Sequence, residues 1–584
     1  MRYDLLIAAL ISLAIISVLA DIITKKQHRE KIAVFFALSS MVVFSSIGLL
    51  KYENISGQDG YFHIMRILGI AENISRGIPF CKVNFVFNQG YGYFDPVFYP
   101  RLFLWLPAVL VAVGMNISNA YRIFILFINI ATVIVSYKCF GKMTQNRICA
   151  LAVTAMYTLN YYRMNDLYIR ASVGELLFIA FFPIVLYGIY AIFRKGEDRW
   201  FVLMIGATFI LQSHMIGTLL TAMTGFVMIA AYAIYNLIKN KSIKNEILTL
   251  AKAGVGTVAV NLWFLIPLAY YIRQDFVMFT VNPEYFAKYQ QPFFDMFFKR
   301  SGLDGTEILS YMGPLMGCVF VLIIVAAVIV SVRDKKIPEG TIILASSAAV
   351  LFTASTYMPW IKLSSNSAVY FVIDSLQFSF RTISVFLALL AMAAVLLLGK
   401  FTCRKSRIAA AVLTVLFCLS AFDYYGLSVD NRTVVKGYDG EYEINTFCPS
   451  EYLLNAVNKD EVNNPDKLRT LDENLEVVNH EYYKAGSRVV VENNSAGDNY
   501  VEIPLFYYDG YSAYSVENDM YLPVQPGVYG VVRVVVPPSV TGEILVQFGT
   551  KWFFKAAQAI SWASVLLVAV YFGIKYRKNK LKTR

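Results

Sequence analysis

The sequence is poor in charged residues. Only 16% of its 584 residues are Asp, Glu, Lys or Arg, whereas an average soluble domain has about 25%. Apolar residues make up 57% of the chain and aromatic residues 15%. This composition excludes an ordinary soluble globular protein and predicts a polytopic α-helical membrane protein.

Histidine and cysteine are also scarce. The chain has four histidines and seven cysteines, and the cysteines are scattered without any metal-ligand spacing. A histidine-rich metal centre is therefore not expected. No internal repeat or low-complexity segment is visible in the chain.

Apolar runs, by contrast, recur along nearly the whole length. Nearly all have about 17 to 25 residues, enough to cross about 30 Å of hydrocarbon as a helix. About 13 spans are predicted, at residues 5–22, 32–50, 120–141, 147–163, 172–193, 199–212, 215–236, 250–271, 310–332, 339–357, 378–399, 407–424 and 554–575.

Basic clusters between the spans predict the orientation, because cytoplasmic loops carry an excess of Lys and Arg. All of these basic clusters are cytoplasmic if the apolar segment 101–118 does not cross the membrane but re-enters it or lies at its interface. If 101–118 does cross, one of the neighbouring predicted spans must be wrong. The same count predicts that five segments are extracytoplasmic: residues 51–119, 164–171, 273–309, 358–377 and 425–553.

A polar region separates the last two spans. Residues 425–551 carry 19 acidic and 9 basic residues, although the whole chain has a net charge of +12. The positive charge therefore belongs to cytoplasmic loops and indicates no nucleic-acid partner. Segments such as "VVRVVVP" (531–537) and "ILVQFG" (544–549) are rich in β-branched residues or alternate between apolar and polar residues, and turn residues separate them. They predict a β-sandwich-like domain.

Five regions follow from these patterns. They are two N-terminal transmembrane helices (1–50), a first extracytoplasmic loop (51–119), a helical bundle (120–424) with outer loops 273–309 and 358–377, the β-rich domain (425–553), and a final transmembrane helix with a basic cytoplasmic tail (554–584).

The first outer loop begins with "GQDGYFHIMRILGIAENISRG" (57–77). As a helix, this stretch places Asp59, His63 and Arg66 on one stripe. One interpretation is an interfacial anchor helix that Asp59 caps. The other is that Asp59 is a general base facing a lipid-borne substrate. A second acid, Asp95, follows in the same loop.

Other ionisable residues lie at the outer ends of spans. They are Arg170 and Glu175 in "NDLYIRASVGE", His214 in "LQSHMIGT" and Arg381 in "DSLQFSFR". Such residues are costly near hydrocarbon and usually face a cavity or pair with one another. Arg170 and Glu175 could form a structural ion pair, and His214 could be a satisfied polar residue between helices. Their convergence on one face favours a functional site.

This combination of a candidate carboxylate base and several arginines suits sugar transfer from a polyprenyl phosphate. A hydroxyl acceptor needs one carboxylate as base, and the phosphate leaves readily if arginines hold its charge. We therefore predict that Asp59 is the base, that arginines bind the donor phosphate and that other polar residues shape the pocket. The predicted phosphate ligands are Arg66, Arg170 and Arg381. The predicted pocket residues are His63, Asp95, Glu175 and His214.

Two further predictions concern aromatic residues and metals. Tyr507 and Tyr508 in the β-rich domain could stack on a sugar, or they could belong to the core of the sandwich. Asp59 and Asp95 could share Mg²⁺ or Mn²⁺ with donor phosphate oxygens, or Asp59 could act without metal.

The ordered motifs resemble a known family. "GQDGYFHIMR" resembles the G-x-D-x-x-F-H-x-x-R motif of bacterial membrane proteins labelled pyruvoyl-tetrahydropterin-synthase-related and of the YfhO-like proteins. Similar matches follow in order along most of the chain: "YGYFDPVFYP", "LYIRASVGELLFIAFFP", "SHMIGTLL", "FLIPLAYY", "LQFSFRTI" and "IPLFYYDGYSAY". The chain departs from the usual pattern at Asp95, Met215, Ser379 and Phe380.

These families are similar to the GT-C superfamily of glycosyltransferases. The resemblance implies a GT-C-like bundle in a bacterial plasma membrane, with Asp59 as the catalytic acid residue of the first outer loop. It also implies a polyprenyl-phosphate-linked sugar donor and a cell-envelope glycan or polymer as acceptor. The alternatives are a transporter or flippase for a lipid-linked precursor, and a non-catalytic scaffold.

Overall fold

The structure is a computed structural model. It describes residues 27–51, 57–144, 146–196, 198–299, 307–424, 450–458, 468–538 and 540–582. The predicted span 5–22 lies outside the described residues.

Eight helical segments of the described chain are long and apolar enough to cross a membrane, which confirms a polytopic helical fold. A helix suits such runs because it satisfies every backbone polar group internally. The eight segments are Ile117–Met143, Val173–Lys195, Met215–Ile238, Lys244–Tyr271, Ile308–Asp334, Ser379–Leu398, Arg404–Tyr424 and Trp552–Ile574.

Four other predicted spans are also helical. Helix Gln27–Lys51 covers residues 32–50, and its apolar part is Val34–Leu49. Helices Arg147–Thr158, Trp200–Leu211 and Glu339–Thr353 occupy the other three. In the segment 101–118, helix Trp105–Ala112 has eight residues, far fewer than the roughly 20 needed to cross the bilayer.

The remaining helices are short or lie outside the predicted spans. The α-helices are Gly57–Ser75, Asp95–Phe98, Tyr161–Asn165, Pro283–Lys288, Asp295–Phe298, Trp360–Leu363 and Ser367–Leu376. A π-helix covers Asp166–Arg170, and 3₁₀ turns cover Asn88–Gly90, Leu102–Leu104, Glu307–Ser310, Ser379–Arg381 and Val528–Gly530.

The C-terminal region contains two antiparallel sheets, which confirms its β-rich character. Its strands are β1 (Arg469–Thr470), β2 (Leu475–Tyr483), β3 (Gly486–Asn493), β4 (Asn499–Phe506), β5 (Tyr511–Ser515), β6 (Met520–Leu522), β7 (Val524–Pro526), β8 (Val531–Val536) and β9 (Gly542–Phe548). One sheet has the order β1-β4-β8-β7 and the other β2-β3-β9-β5-β6. Alternate residues of β8 and β9 are buried, as expected for a strand with one face on a core.

The chain forms two compact units. The first unit comprises the described residues of 1–61, 122–254 and 280–439, and the second those of 62–121, 255–279 and 440–584. In the first unit, the segments Val173–Lys195 and Ser379–Leu398 are almost entirely buried. In the second unit, most of the first loop packs on the β-rich region: Phe94 stacks on Tyr508 with ring centroids 4.3 Å apart.

A glycine on helix Gly57–Ser75 permits close packing inside the second unit. A Cβ on Gly69 would overlap the side-chain amide of Asn84, which accepts a hydrogen bond from the Val86 amide at 3.2 Å. Asn84 is buried, so it cannot move away without losing this partner.

We expect Gly69→Ala to lower the free energy of unfolding by about 1–3 kcal/mol, because the added methyl group overpacks this contact. Gly254→Ala is the control, since a Cβ there meets nothing within 4 Å. The control should be neutral or stabilising by up to about 1 kcal/mol. Thermal unfolding of the purified chain in detergent measures both, and equal stabilities would contradict the packing argument.

Candidate functional site

Arg170 lies between two carboxylates in the first unit. Its Nη1 donates to Glu175 Oε2 at 2.7 Å and to Asp166 Oδ1. All three side chains are buried. Charge-assisted hydrogen bonds of this kind are about twice as strong as neutral ones, and here they hold a cation that could not otherwise remain buried.

The local backbone explains how these side chains meet. The π-helix Asp166–Arg170 ends at Ala171, which has left-handed dihedral angles (φ 53°). The Ser172 amide donates to the Asp166 carbonyl oxygen at 2.9 Å and closes the turn. Helix Val173–Lys195 begins directly afterwards, with Glu175 in its first turn. A carboxylate there is favoured by the helix dipole.

Tyr162 and Phe380 extend the cluster. The Tyr162 hydroxyl donates to Glu175 Oε1 at 2.5 Å and lies 3.2 Å from the Phe380 carbonyl oxygen. The Arg170 guanidinium lies 4.9 Å from the centroid of the Phe380 ring. Arg381 follows in the 3₁₀ turn Ser379–Arg381 and donates through Nη1 to Gln377 Oε1 at 2.7 Å.

His214 caps a helix beside these arginines. The Gly217 amide donates to His214 Nδ1 at 3.2 Å at the start of helix Met215–Ile238. Burial lowers the pKa of His214 well below its ordinary value, and the charges of Arg381 and Arg170 lower it further. The imidazole is therefore neutral, with its proton on Nε2.

Asp59 lies next to the Arg170 turn. It is in the first turn of helix Gly57–Ser75 and half-buried, and its negative charge stabilises the charged form of Arg170. Gly57 (φ 52°) makes this approach possible, because a Cβ there would overlap Ala171. The first unit thus brings together five residues predicted from sequence: Asp59, Arg170, Glu175, His214 and Arg381.

Sequence reasoning missed Asp166 and Tyr162 as members of the cluster. Asp166 precedes Arg170 by four residues, the spacing of an ion pair on one helical face, so its signal was present. Burial raises the pKa of Asp166 well above its ordinary value; Glu175 raises it further and Arg170 opposes this. No comparable spacing signal identified Tyr162.

Arg66, by contrast, lies in the second unit and pairs with residues there. Its Nε donates to Asp95 Oδ2 at 2.9 Å, and its Nη2 donates to the carbonyl oxygens of Pro100 at 2.7 Å and Tyr99 at 3.0 Å. Both charged side chains are 2% exposed. Arg66 is thus half of a buried ion pair, and its predicted role as a ligand of donor phosphate stays a prediction. His63 is buried in the same unit, 6.0 Å from Tyr99 between ring centroids.

The two tyrosines of the β-rich region differ in exposure. Tyr508 is fully buried between Phe94 and Phe276, with nearly parallel rings. It offers no face to a sugar and belongs to the core, which is the alternative that the sequence left open. Tyr507 is half-buried, and its predicted sugar contact stays a prediction.

The described residues contain no group of three or more His, Cys, Asp or Glu side chains arranged to hold a metal ion. Burial raises the pKa of Asp95, although Arg66 opposes the shift. With one oxygen already accepting from Arg66, Asp95 fits a divalent ion poorly. The predicted role of Mg²⁺ or Mn²⁺ stays a prediction.

Comparisons with known proteins give only distant structural likenesses. No family model matches the chain, and no curated protein matches it in sequence. The chain is similar to the crystal structure of ArnT from Cupriavidus metallidurans bound to undecaprenyl phosphate, with a TM-score of 0.36 and 12% sequence identity. The match covers 63% of this chain and 60% of the ArnT chain. This chain therefore spans less than two thirds of the length of ArnT. This likeness is too distant to support a function, and the resemblance to YfhO-like proteins stays a prediction.

We expect Arg66→Met to lower the free energy of unfolding by about 3–5 kcal/mol, because Asp95 would be left as a buried charge without its partner. The double variant Arg66→Met/Asp95→Leu should recover most of the loss, since neither charge remains. Thermal unfolding of the purified variants measures both effects. Native stability in the single variant would show that this ion pair is not structural.

We expect His214→Asn to make the protein less sensitive to acid. Asn keeps the helix cap but does not titrate. Because the folded-state pKa of His214 is lowered, its contribution to stability is present above about pH 6.5 and lost as the pH falls below that value. The melting temperature should therefore fall less between about pH 8 and pH 5 in the variant. Parallel pH profiles would contradict this.

Proposed function

We propose that the protein is a GT-C-like glycosyltransferase. It would move a sugar from a polyprenyl-phosphate carrier to a cell-envelope glycan or polymer on the extracytoplasmic face of a bacterial plasma membrane. The observation that carries the proposal is the position of Asp59, a half-buried carboxylate beside the buried cluster of Arg170, Asp166 and Glu175.

Asp59 is the member of this cluster that suits the role of base. A base must reach the acceptor hydroxyl and be able to take its proton. Asp166 and Glu175 are buried and both accept from Arg170, so neither is available to an acceptor. Asp59 retains solvent access, so an acceptor hydroxyl can reach it.

The arginines of the first unit suit a phosphate leaving group. As the bond to the sugar breaks, negative charge develops on the phosphate, and fixed positive charges stabilise it. Arg170 and Arg381 are both close enough to Asp166 and His214 for their charges to act there. Asp166 and Glu175 already offset the charge of Arg170, and neutral His214 adds none. Arg381, which donates to the neutral oxygens of Leu376 and Gln377, is therefore the arginine best suited to hold the phosphate charge.

The position of these charges favours an enzyme over a transporter. Arg170 lies just before helix Val173–Lys195, His214 just before Met215–Ile238, and Arg381 just before Thr382–Leu398. A transport pathway should instead place polar groups near the middle of the bilayer, often at broken helices. The charged residues of this cluster therefore mark helix ends, where a lipid headgroup would lie.

We expect Asp59→Asn to reduce sugar transfer by at least about 100-fold, because the acceptor proton loses its base. The measurement is mass spectrometry of envelope polymers from cells that carry the native chain, the variant or neither. Glu72→Gln is the matched control, since Glu72 lies on the same helix and its side chain is 43% exposed. The control should retain transfer.

The outcomes separate the two functions. A hexose-sized addition with the native chain and Glu72→Gln, but not with Asp59→Asn, supports a transferase and identifies its acceptor. An addition that persists with Asp59→Asn but vanishes without the protein indicates that the protein moves the donor. That result would overturn the role of Asp59.

A further inference from the structure

The second unit contains a buried arginine whose hydrogen bonds are incomplete. Arg101 is 4% exposed, and its Nε and Nη1 atoms are buried without a hydrogen-bond partner in the described structure. It forms no ion pair with any described residue. Guanidinium groups stay charged in proteins, and a buried charge is costly unless it is paired. This side chain therefore needs a partner of opposite charge.

A second cation lies beside it. The charges of Arg101 and Lys82 repel each other: burial, followed by Arg101, lowers the pKa of Lys82 to about 7. Asp95 also lies near Arg101, but its carboxylate already accepts from Arg66. With Arg66 and Arg101 facing one carboxylate, this part of the second unit has an excess of positive charge, to which the protonated form of Lys82 adds.

A third donor comes from the β-rich region. The hydroxyl oxygen of Tyr511, on β5, is buried and has no hydrogen-bond partner in the described structure. Cys81 lies close enough to Tyr511, Lys82 and Arg101 to interact electrostatically with each of them. Three donors, from the first outer loop and from β5, therefore lie near one buried thiol.

We propose that Arg101, Lys82 and Tyr511 form a binding site for a phosphate group. All three offer hydrogen-bond donors, and the two cations supply the charge that a phosphate monoester or diester needs. A phosphate would satisfy the Arg101 nitrogens and the Tyr511 hydroxyl together, and would offset the repulsion between Lys82 and Arg101. The site lies in the second unit and does not depend on the transferase proposal.

Thermal unfolding of the full chain in a nonionic detergent tests the proposal with inorganic phosphate as the probe. Sodium chloride at equal ionic strength is the control for screening. We expect phosphate to raise the melting temperature of the native chain in a saturable way, because a ligand that binds only the folded state stabilises it. No rise above that with chloride would overturn the site.

Three variants assign the rise to this site. Tyr511→Phe removes a hydroxyl that has no partner, so it should fold as stably as the native chain without phosphate and bind phosphate about tenfold more weakly. Lys82→Gln should also weaken binding, whereas Lys555→Gln, at an exposed lysine of the same unit, should not. Native affinity in both Tyr511→Phe and Lys82→Gln would overturn the proposal.

Two further measurements test whether the arginine cluster of the first unit causes the phosphate effect, and identify the source of the phosphate. Tyr511→Phe should weaken phosphate binding by the same factor in an Arg381→Gln background, because Arg381 belongs to the first unit; loss of this difference would overturn the assignment. The native chain is also titrated with decaprenyl monophosphate and with phosphatidylglycerol. Preference for the first supports a lipid-linked monoester, and preference for the second supports a phospholipid headgroup.

Discussion

The charge on Arg170 constrains the polar centre of the first unit. A buried guanidinium must be neutralised where it lies, and the chain does so with Asp166 on a π-helix and Glu175 in the first turn of the next helix. Two carboxylates on one arginine leave a surplus of negative charge, which the nearby Arg381 reduces. The polar centre therefore depends on a network in which each member stabilises the others. Asp59 lies at the edge of this network and retains access to solvent.

Four buried arginines show how differently one residue type can be used. Arg170 and Arg66 have carboxylate partners. Arg163 has none among the described residues, but Asn129 and Thr132 accept hydrogen bonds from its Nη2 at 2.7 and 3.1 Å. Arg101 has neither kind of partner for two of its nitrogens. Because a buried charge must be compensated, this contrast separates residues that hold the fold together from one whose environment calls for a ligand.

Much of the fold could be predicted from sequence. The thickness of the bilayer sets the length of an apolar run, so the spans were recognisable from length and hydropathy, and helices cover all of those predicted within the described residues. The strands were recognisable for a similar reason, since β8 and β9 alternate between buried and partly exposed residues. The division into two units was not predicted. It depends on contacts such as Phe94 with Tyr508, which join stretches more than 400 residues apart.

The candidate site was predicted less completely. The sequence by itself determined that this is a membrane protein with helical spans, a β-rich region and ionisable residues at the ends of spans, because these properties depend on local composition and periodicity. Only the tertiary structure decided which charges pair: Arg66 with Asp95, and Arg170 with Asp166 and Glu175. The physical reason is that the free energy of a buried charge depends on its solvation and its nearest partner. Both are properties of the assembled packing, and for Arg66 the partner lies 29 residues away along the chain.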